Sequence, residues 1–240
     1  MNRGIYATAS GMLATQKLMD TVANNLANAS TTGFKQDGLA FGDAFQRALY
    51  ANGGHGPYLG TLGTGATEID AYTVFDVGAP ITTGNSLDVA IQSRDGLFAV
   101  QTPQGIRYTR DGSFQLDGEG MLVTKDGHSV LDERQQPIQI PQGQPNIDSD
   151  GSVSVDGRPV GKIGIFKGQF AKIGGSLFAG SGTEAIDEPE LTPKALESSN
   201  VNTVEAMIEM ITAGRTFEMA QKSIQQQDDL AQKLIQSLQS

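Results

Sequence analysis

Two histidines, His55 and His128, are the only side chains in this 240-residue sequence whose ordinary pKa suits proton transfer near neutrality. Each sits beside glycine in a loop or turn, and no G-x-S-x-G nucleophile elbow accompanies them. Cysteine is absent, which removes thiolate catalysis, thiolate metal ligation and disulfides. Asp148-Ser149-Asp150-Gly151 begins like a calcium loop, but the later acidic ligands are missing, and the stretch reads as a hairpin turn. Gly60-Thr61-Leu62-Gly63-Thr64-Gly65 has neither the dinucleotide spacing nor the phosphate-binding lysine. Asp228 with Asp229, and Glu188 with Glu190, fit a solvated helix face and a Pro-rich arm better than general acid–base work. No catalytic, cofactor-binding or metal-binding residue is therefore expected, and no cofactor.

The elements around these residues point to α+β. Residues 4–29 read as a helix in which Ile5, Met12, Met19 and Leu26 recur every seven positions; Thr8, Ala9, Val22 and Ala23 widen the stripe. Ser30 to Gly33 ends it, with Gly33 suited to a left-handed C-terminal position and Phe34 placed to fold back on the last turn. From Asn202 to Leu238 there is no proline and a single glycine, Gly214. Met210, Ala213, Phe217, Ala220, Ile224, Ala231, Leu234 and Leu238 share one heptad seam, broken by Gln227; Val204, Ile208 and Ile211 form a second stripe. Asn202 followed by Glu205 resembles a capping box. Such a helix is roughly 54 Å long.

Between the helices the pattern has period two. Leu87, Val89 and Ile91 alternate with Asp88 and Ala90, and Leu97 to Val100 follows; Tyr108, Phe114 and Leu116, then Met121 to Val123, then Val153 and Val155, continue the pattern. Asp-Gly pairs at 95, 111, 117, 126, 150 and 156 are expected to turn antiparallel strands. The reading is a helical assembly domain made from 1–35 and 200–240, pairing in coiled-coil fashion, with extended connectors at 36–80 and 171–199 that run extended or pair as long arms, and an antiparallel all-β domain at 81–170.

The formal net charge of −10 lacks the basic footprint of a nucleic-acid binder. No apolar run is long enough to span a membrane, so no membrane insertion is expected. Ile5 to Leu26 carries Lys17 and Asp20, unlike a signal peptide. Pairing the two terminal helices would bury both seams and still leave apolar surface on the longer one, and such surface marks contact with other chains. An internal core is the alternative reading of the stripes. A secreted β-rich binding module on a coiled-coil stalk is the alternative function, and an enzyme is disfavoured by the poor supply of catalytic groups.

Four motifs carry a resemblance to a known family. Asn24-Asn25-Leu26-Ala27-Asn28-Ala29-Ser30-Thr31-Thr32-Gly33-Phe34-Lys35 is similar to the N-terminal signature of flagellar axial proteins. Glu197-Ser198-Ser199-Asn200-Val201-Asn202, with Val204-Glu205-Ala206-Met207 and Met210-Ile211, resembles the matching C-terminal end. Asn85-Ser86-Leu87-Asp88-Val89-Ala90-Ile91 and Tyr108-Thr109-Arg110-Asp111-Gly112-Ser113-Phe114 resemble the β domain of basal-body rod proteins. Length and the run Arg215-Thr216-Phe217-Glu218-Met219 are more like the proximal-rod branch than the distal-rod branch; Gly214 departs from the helix former expected in relatives. The resemblance implies a structural subunit, exported through the flagellum's own secretion apparatus into the periplasmic space. There it would join copies of itself and other rod subunits in a tubular drive shaft that couples the motor to the hook. The interface is then expected to use Ile5, Met12, Met19, Asn24, Asn25, Leu26, Asn28, Gly33 and Phe34, with Asn200, Val201, Val204, Met207, Met210, Ile211, Phe217, Ile224, Leu234 and Leu238. The amides of Asn24, Asn25 and Asn28 are expected to fix register between neighbours.

Overall fold

The computed structural model describes residues 3–43, 46–50, 58–63 and 66–238, with backbone alone at 3, 41–43, 46–50, 58–63, 66–69, 231, 234, 235, 237 and 238. His55 lies outside the described residues. The chain forms two compact units. The first gathers residues 1–27, 37–72 and 202–240, and the second gathers 28–36 and 73–201.

The first unit holds helices α1 (Arg3–Ala27) and α2 (Thr203–Leu238), which pack along each other. Its strands are β1 (Asp37–Asp43), β2 (Gln46–Tyr50), β3 (Tyr58–Gly63) and β4 (Ala66–Thr73). β1 pairs with β4, and β2 with β3, so the segment expected as an extended connector forms paired ribbons. Inside α1 the hydroxyls of Thr8 and Thr15 donate to the carbonyls of Gly4 and Gly11, one turn back, which lets threonine sit in a helix without an unpaired polar group. The Asn202 side chain accepts from the backbone N–H of Val204 and Glu205 and starts α2 as an N-cap.

The second unit is antiparallel β throughout its named pairings. Strands β5 (Pro80–Thr82), β6 (Val89–Ile91), β7 (Leu97–Thr102), β8 (Gly105–Thr109), β9 (Phe114–Leu116), β10 (Leu122–Thr124) and β11 (Ser129–Val130) come first. β12 (Pro145–Ile147), β13 (Ser152–Val155) and β14 (Arg158–Lys162) form a three-stranded meander. β15 (Ile165–Gly174) and β16 (Leu177–Ala185) make a long hairpin, followed by β17 (Leu191–Pro193) and β18 (Ala195–Glu197). The main sheet runs β15-β16-β8-β7-β11-β10-β9, and β15 also pairs with β7, so four strands close on themselves. The stretch 171–199 thus supplies part of that sheet, and its last two strands pair with β6 and β5.

The run Leu97-Phe98-Ala99-Val100 is continuous because β7 is buried on both faces. Phe98 and Val100 enter one cluster with Leu122, Val130 and Ile165; Leu97 and Ala99 enter another with Tyr108, Leu131, Phe166 and Phe178. Four of the six Asp-Gly pairs turn hairpins as expected, at 117, 126, 150 and 156. At Asp156-Gly157 both residues have positive φ, 49° and 79°, as a tight two-residue hairpin demands. The pairs at 95 and 111 do otherwise. β6 is not paired with β7, nor β8 with β9: the first pair carries the chain from one sheet to another, and the second carries it from β8 to β9 at the edge of the same main sheet. Gly112 is needed there because a Cβ would collide with the Val89 carbonyl; the Val89 N–H donates to Gly112 O at 3.1 Å.

Candidate assembly surface

In the first unit, Gly4 in the opening turn of α1 faces Gln227 far along α2, where a Cβ would stand 3.2 Å from the amide nitrogen. The helices are therefore antiparallel. Ala14 and Val22 are the buried apolar residues of α1, and Ala206 and Ala213 those of α2. The larger members of the expected seam, Ile5, Met12, Met19, Leu26, Met210, Phe217 and Ile224, are half-buried. Gln227, which interrupts the seam, is half-buried with them.

A second face of α2 carries a bare apolar row. Val204 is 65% exposed, Met207 51%, Ile208 61% and Ile211 57%. Met219 and Leu230 continue the exposed apolar surface along the helix, and Tyr6 and Leu13 do so on α1, at 65% and 69%. The seven-residue spacing of Tyr6 and Leu13 was available as a sequence signal for a second stripe on α1. Leu234 and Leu238 fall in α2 at positions whose side chains are outside the described residues.

The amides divide. Asn24 is exposed, whereas Asn25 is 3% exposed and bonds within the chain. Its amide nitrogen donates to Asp37 O at 2.8 Å and its oxygen accepts from Asp37 N at 3.0 Å, so it fastens the first residue of β1 to α1. Asn28 ends the helix: its carbonyl accepts from Thr31 N at 3.0 Å and its side-chain oxygen from the Thr31 hydroxyl at 3.2 Å.

In the second unit, Gly33 has φ +65°, and a Cβ there would lie 2.5 Å from the backbone of Arg110 and Asp111. Glycine answers both the left-handed conformation and the close approach. Phe34 is 1% exposed, with the Lys172 ammonium 3.8 Å from its ring centroid. That contact belongs to the β unit, where the sequence placed Phe34 on the last helical turn. Asn200 bonds four ways. Its oxygen accepts from Gln36 N at 2.7 Å, its amide donates to Val74 O at 2.8 Å and to Asp76 O at 3.2 Å, and its backbone N–H donates to Phe34 O at 3.4 Å. Val201 is half-buried and its N–H donates to the Ser199 hydroxyl.

The most constrained group is a buried ion triad that the sequence reading did not single out. Glu197 receives Lys35 Nζ at 2.6 Å on one carboxylate oxygen and Arg110 Nε at 2.7 Å on the other. The side chains of all three are at most 1% exposed. Gly78 N–H also donates to Glu197 Oε1 at 2.7 Å, and Lys35 Nζ to Asp76 O at 2.7 Å. The rest of the Arg110 guanidinium donates to the carbonyls of Ile91, Ser93, Arg94 and Gly96. Burial pushes the Lys35 ammonium below the usual lysine range, and its hydrogen bond to Glu197 pulls the other way. Each charge stands at the edge or centre of one motif: Lys35 closes the N-terminal signature, Arg110 sits in Tyr108–Phe114, and Glu197 opens the C-terminal signature. Complementary charges in three separate motifs were the available signal.

Among the described residues no group of three or more acidic, histidine or cysteine side chains could hold a metal ion. Nor is any helix long and apolar enough to cross a membrane. His128 lies in the turn between β10 and β11, and Asp148 to Gly151 form the hairpin turn between β12 and β13.

Three family descriptions match the chain in order. "Flagella basal body rod protein" covers residues 5–35, "Flagellar hook protein FlgE/F/G D1 domain" covers 90–155, and "Flagellar basal body rod FlgEFG protein C-terminal" covers 192–237. The flagellar basal-body rod protein FlgG of Bacillus subtilis is 34% identical over 261 residues, with 98% of each chain covered. FlgG of Borreliella burgdorferi is 35% identical over 256 residues, with 96% of each chain covered. FlgF of Caulobacter vibrioides is 32% identical over 247 residues, covering 99% of this chain and 98% of that one.

Proposed function

This chain belongs to the flagellar basal-body rod protein family, and we propose that its terminal helices join it to neighbouring subunits in the proximal segment of the rod. As a member of that family it is a structural protein of the basal body and works in the rod, not as an enzyme. α1 and α2 pair as a short antiparallel coiled coil, and the residues left uncovered meet other rod subunits and copies of this chain. The observation that carries this reading is the bare row Val204, Met207, Ile208 and Ile211. Four contiguous apolar side chains, each more than half exposed, cost solubility unless a partner covers them.

Fully burying a Val, Ile or Met side chain is worth about 1.5–3 kcal/mol, and this row has more than half of that left to gain. Covering it supplies roughly 3.5–7 kcal/mol per contact. The interface is heterologous, so it propagates along a helix instead of closing. Met12, Met19, Leu26, Met210, Phe217 and Ile224 hold the pair together, and Ile5 extends it. The chain reaches the rod through the flagellar export apparatus, and the finished shaft transmits motor torque to the hook.

Proximal placement is supported by build. The alignment with FlgF runs 247 positions for a chain of 240, whereas that with Bacillus FlgG runs 261 and needs longer gaps in this chain. A distal-rod role is the second reading, favoured by identities of 34–35% to FlgG against 32% to FlgF. The test is Ile211→Asp. The position is exposed in the single chain, so the monomer is expected to fold normally while swimming and basal-body rods are lost. Normal motility would refute the assignment of this face to assembly.

A further inference from the structure

Residues 28–36 and 191–201 stand at the two sequence ends of the second unit, yet they are bonded to each other. Gly33 N–H donates to Glu197 O at 2.9 Å, Asn200 N–H donates to Phe34 O, and the Asn200 side chain accepts from Gln36 N. The Lys35–Glu197 pair spans 162 residues. Arg110, in the middle of the unit, donates to the same carboxylate and to four carbonyls of the β6–β7 connection.

We propose that Lys35, Arg110 and Glu197 form a completion latch, so that the β unit becomes native in one step, only when the segment carrying Glu197 has closed on the segment carrying Lys35. The reasoning starts from charge. Until Glu197 arrives, closing the unit would bury an ammonium and a guanidinium with no anion between them, and an unpaired buried charge is strongly unfavourable. Once it arrives, one carboxylate neutralises one cation and holds both by short charge-assisted bonds. A partly closed unit is therefore disfavoured against both the open and the finished state. Residues 74–78 tighten the closure by bonding both segments: Gly78 N–H donates to Glu197 and the Asn200 amide to Val74 O and Asp76 O, while Lys35 Nζ donates to Asp76 O and Val74 N–H to Gln36 O. The chain leading out of α1 and the chain leading into α2 are consequently ordered together or not at all. A subunit whose C-terminal motif has not docked presents no folded β unit. The latch operates in the single chain and does not depend on the rod assignment.

Hydrogen exchange on the dilute monomeric full chain tests this. The amides of Gly33, Gln36 and Gly78 report the latch, and that of Leu131, which donates to Ala99 O at 2.9 Å, reports the core. The expected result is equal protection at all four, within about threefold. Latch amides exchanging 100-fold faster than Leu131 would overturn the proposal, because the segments would then open independently of the core. Glu197→Gln is expected to lower protection at Leu131 by about two to three orders of magnitude, and failure to fold is the extreme of the same result. Asn200→Ala leaves no charge unpaired and decides the matter. A common loss at Gly33, Gly78 and Leu131 supports the latch, and a loss confined to Gly33 and Gly78 refutes it.

Discussion

Replacing Arg110 by lysine keeps the positive charge and removes the fork, which isolates what the guanidinium geometry does. Arg110 makes five bonds with its five N–H groups: Nε to Glu197 Oε2 at 2.7 Å, one terminal nitrogen to Arg94 O and Gly96 O, the other to Ile91 O and Ser93 O. A lysine ammonium has three donors radiating from one point. At least two of the five acceptors then lose their partner inside a site where Arg110 is 0% exposed. An unsatisfied buried acceptor costs about 1–3 kcal/mol, so Arg110→Lys should destabilise by about 2–6 kcal/mol. Domains are commonly stable by only about 5–15 kcal/mol, so the change is large. Urea unfolding followed by circular dichroism reads it as a midpoint lower by roughly 1–3 M, taking a slope of about 2 kcal/mol/M. Arg94→Lys is the control. Arg94 meets Asp76 at 3.0 Å, but both side chains are 64% exposed, and such pairs contribute little. If Arg110→Lys moves the midpoint no further than Arg94→Lys does, the fork is not what holds the β6–β7 connection.

Three further expectations follow from single residues. Gly33→Ala forces φ +65° on a residue with a Cβ and drives that Cβ into the Arg110 backbone, so unfolding should show a loss well above the roughly 1–2 kcal/mol of the left-handed conformation alone. Gly214→Ala should raise the stability of α2 by about 1 kcal/mol, because a Cβ there meets no atom within 4 Å; a lower melting temperature of the monomer would contradict this. For Lys35, burial lowers the folded-state pKa below the ordinary 10.5, so between those two values the unfolded chain holds the extra proton and stability rises with pH. The unfolding free energy of the wild type minus that of Lys35→Met should therefore climb through that alkaline window, and a flat or falling difference would contradict the sign.

The architecture was legible where one physical rule dominates. Seven-residue spacing found both helices, since α1 and α2 run over the segments their seams predicted, and Asn202 caps where its side chain was read to cap. Period-two alternation found the strands of the β region, and Asp-Gly found the hairpins at 117, 126, 150 and 156. The rule failed at Asp111-Gly112 because glycine there answers a tertiary demand, the approach of the Val89 carbonyl, which leaves no local trace. The strands at 37–73 and 171–185 were legible only as connectors that run extended or pair as arms, for a related reason. Their glycine, alanine and threonine do not alternate strongly, and their pairing is set by partners distant in sequence.

The sequence marked the apolar stripes of the helices and left the buried charges unmarked. An apolar stripe identifies a helix face but not which face another helix of the same chain will take. Here α2 half-covers its heptad seam, Met210, Phe217 and Ile224, and leaves Val204, Ile208 and Ile211 bare. Polar residues misled in the opposite direction. Asn25 was assigned to contacts between subunits because a buried amide needs partners, and the partner turns out to be the backbone of Asp37, twelve residues on. The charges went unremarked because Lys35, Arg110 and Glu197 each look like ordinary surface residues in their own stretch. Only folding brings them within hydrogen-bond distance, and only there does burial turn two exposed cations and a carboxylate into a constraint on the whole unit. The C-terminal signature thus carries a double load: Val204 and Met207 stay exposed on α2, while Glu197 is committed to Lys35 and Arg110 of the same chain.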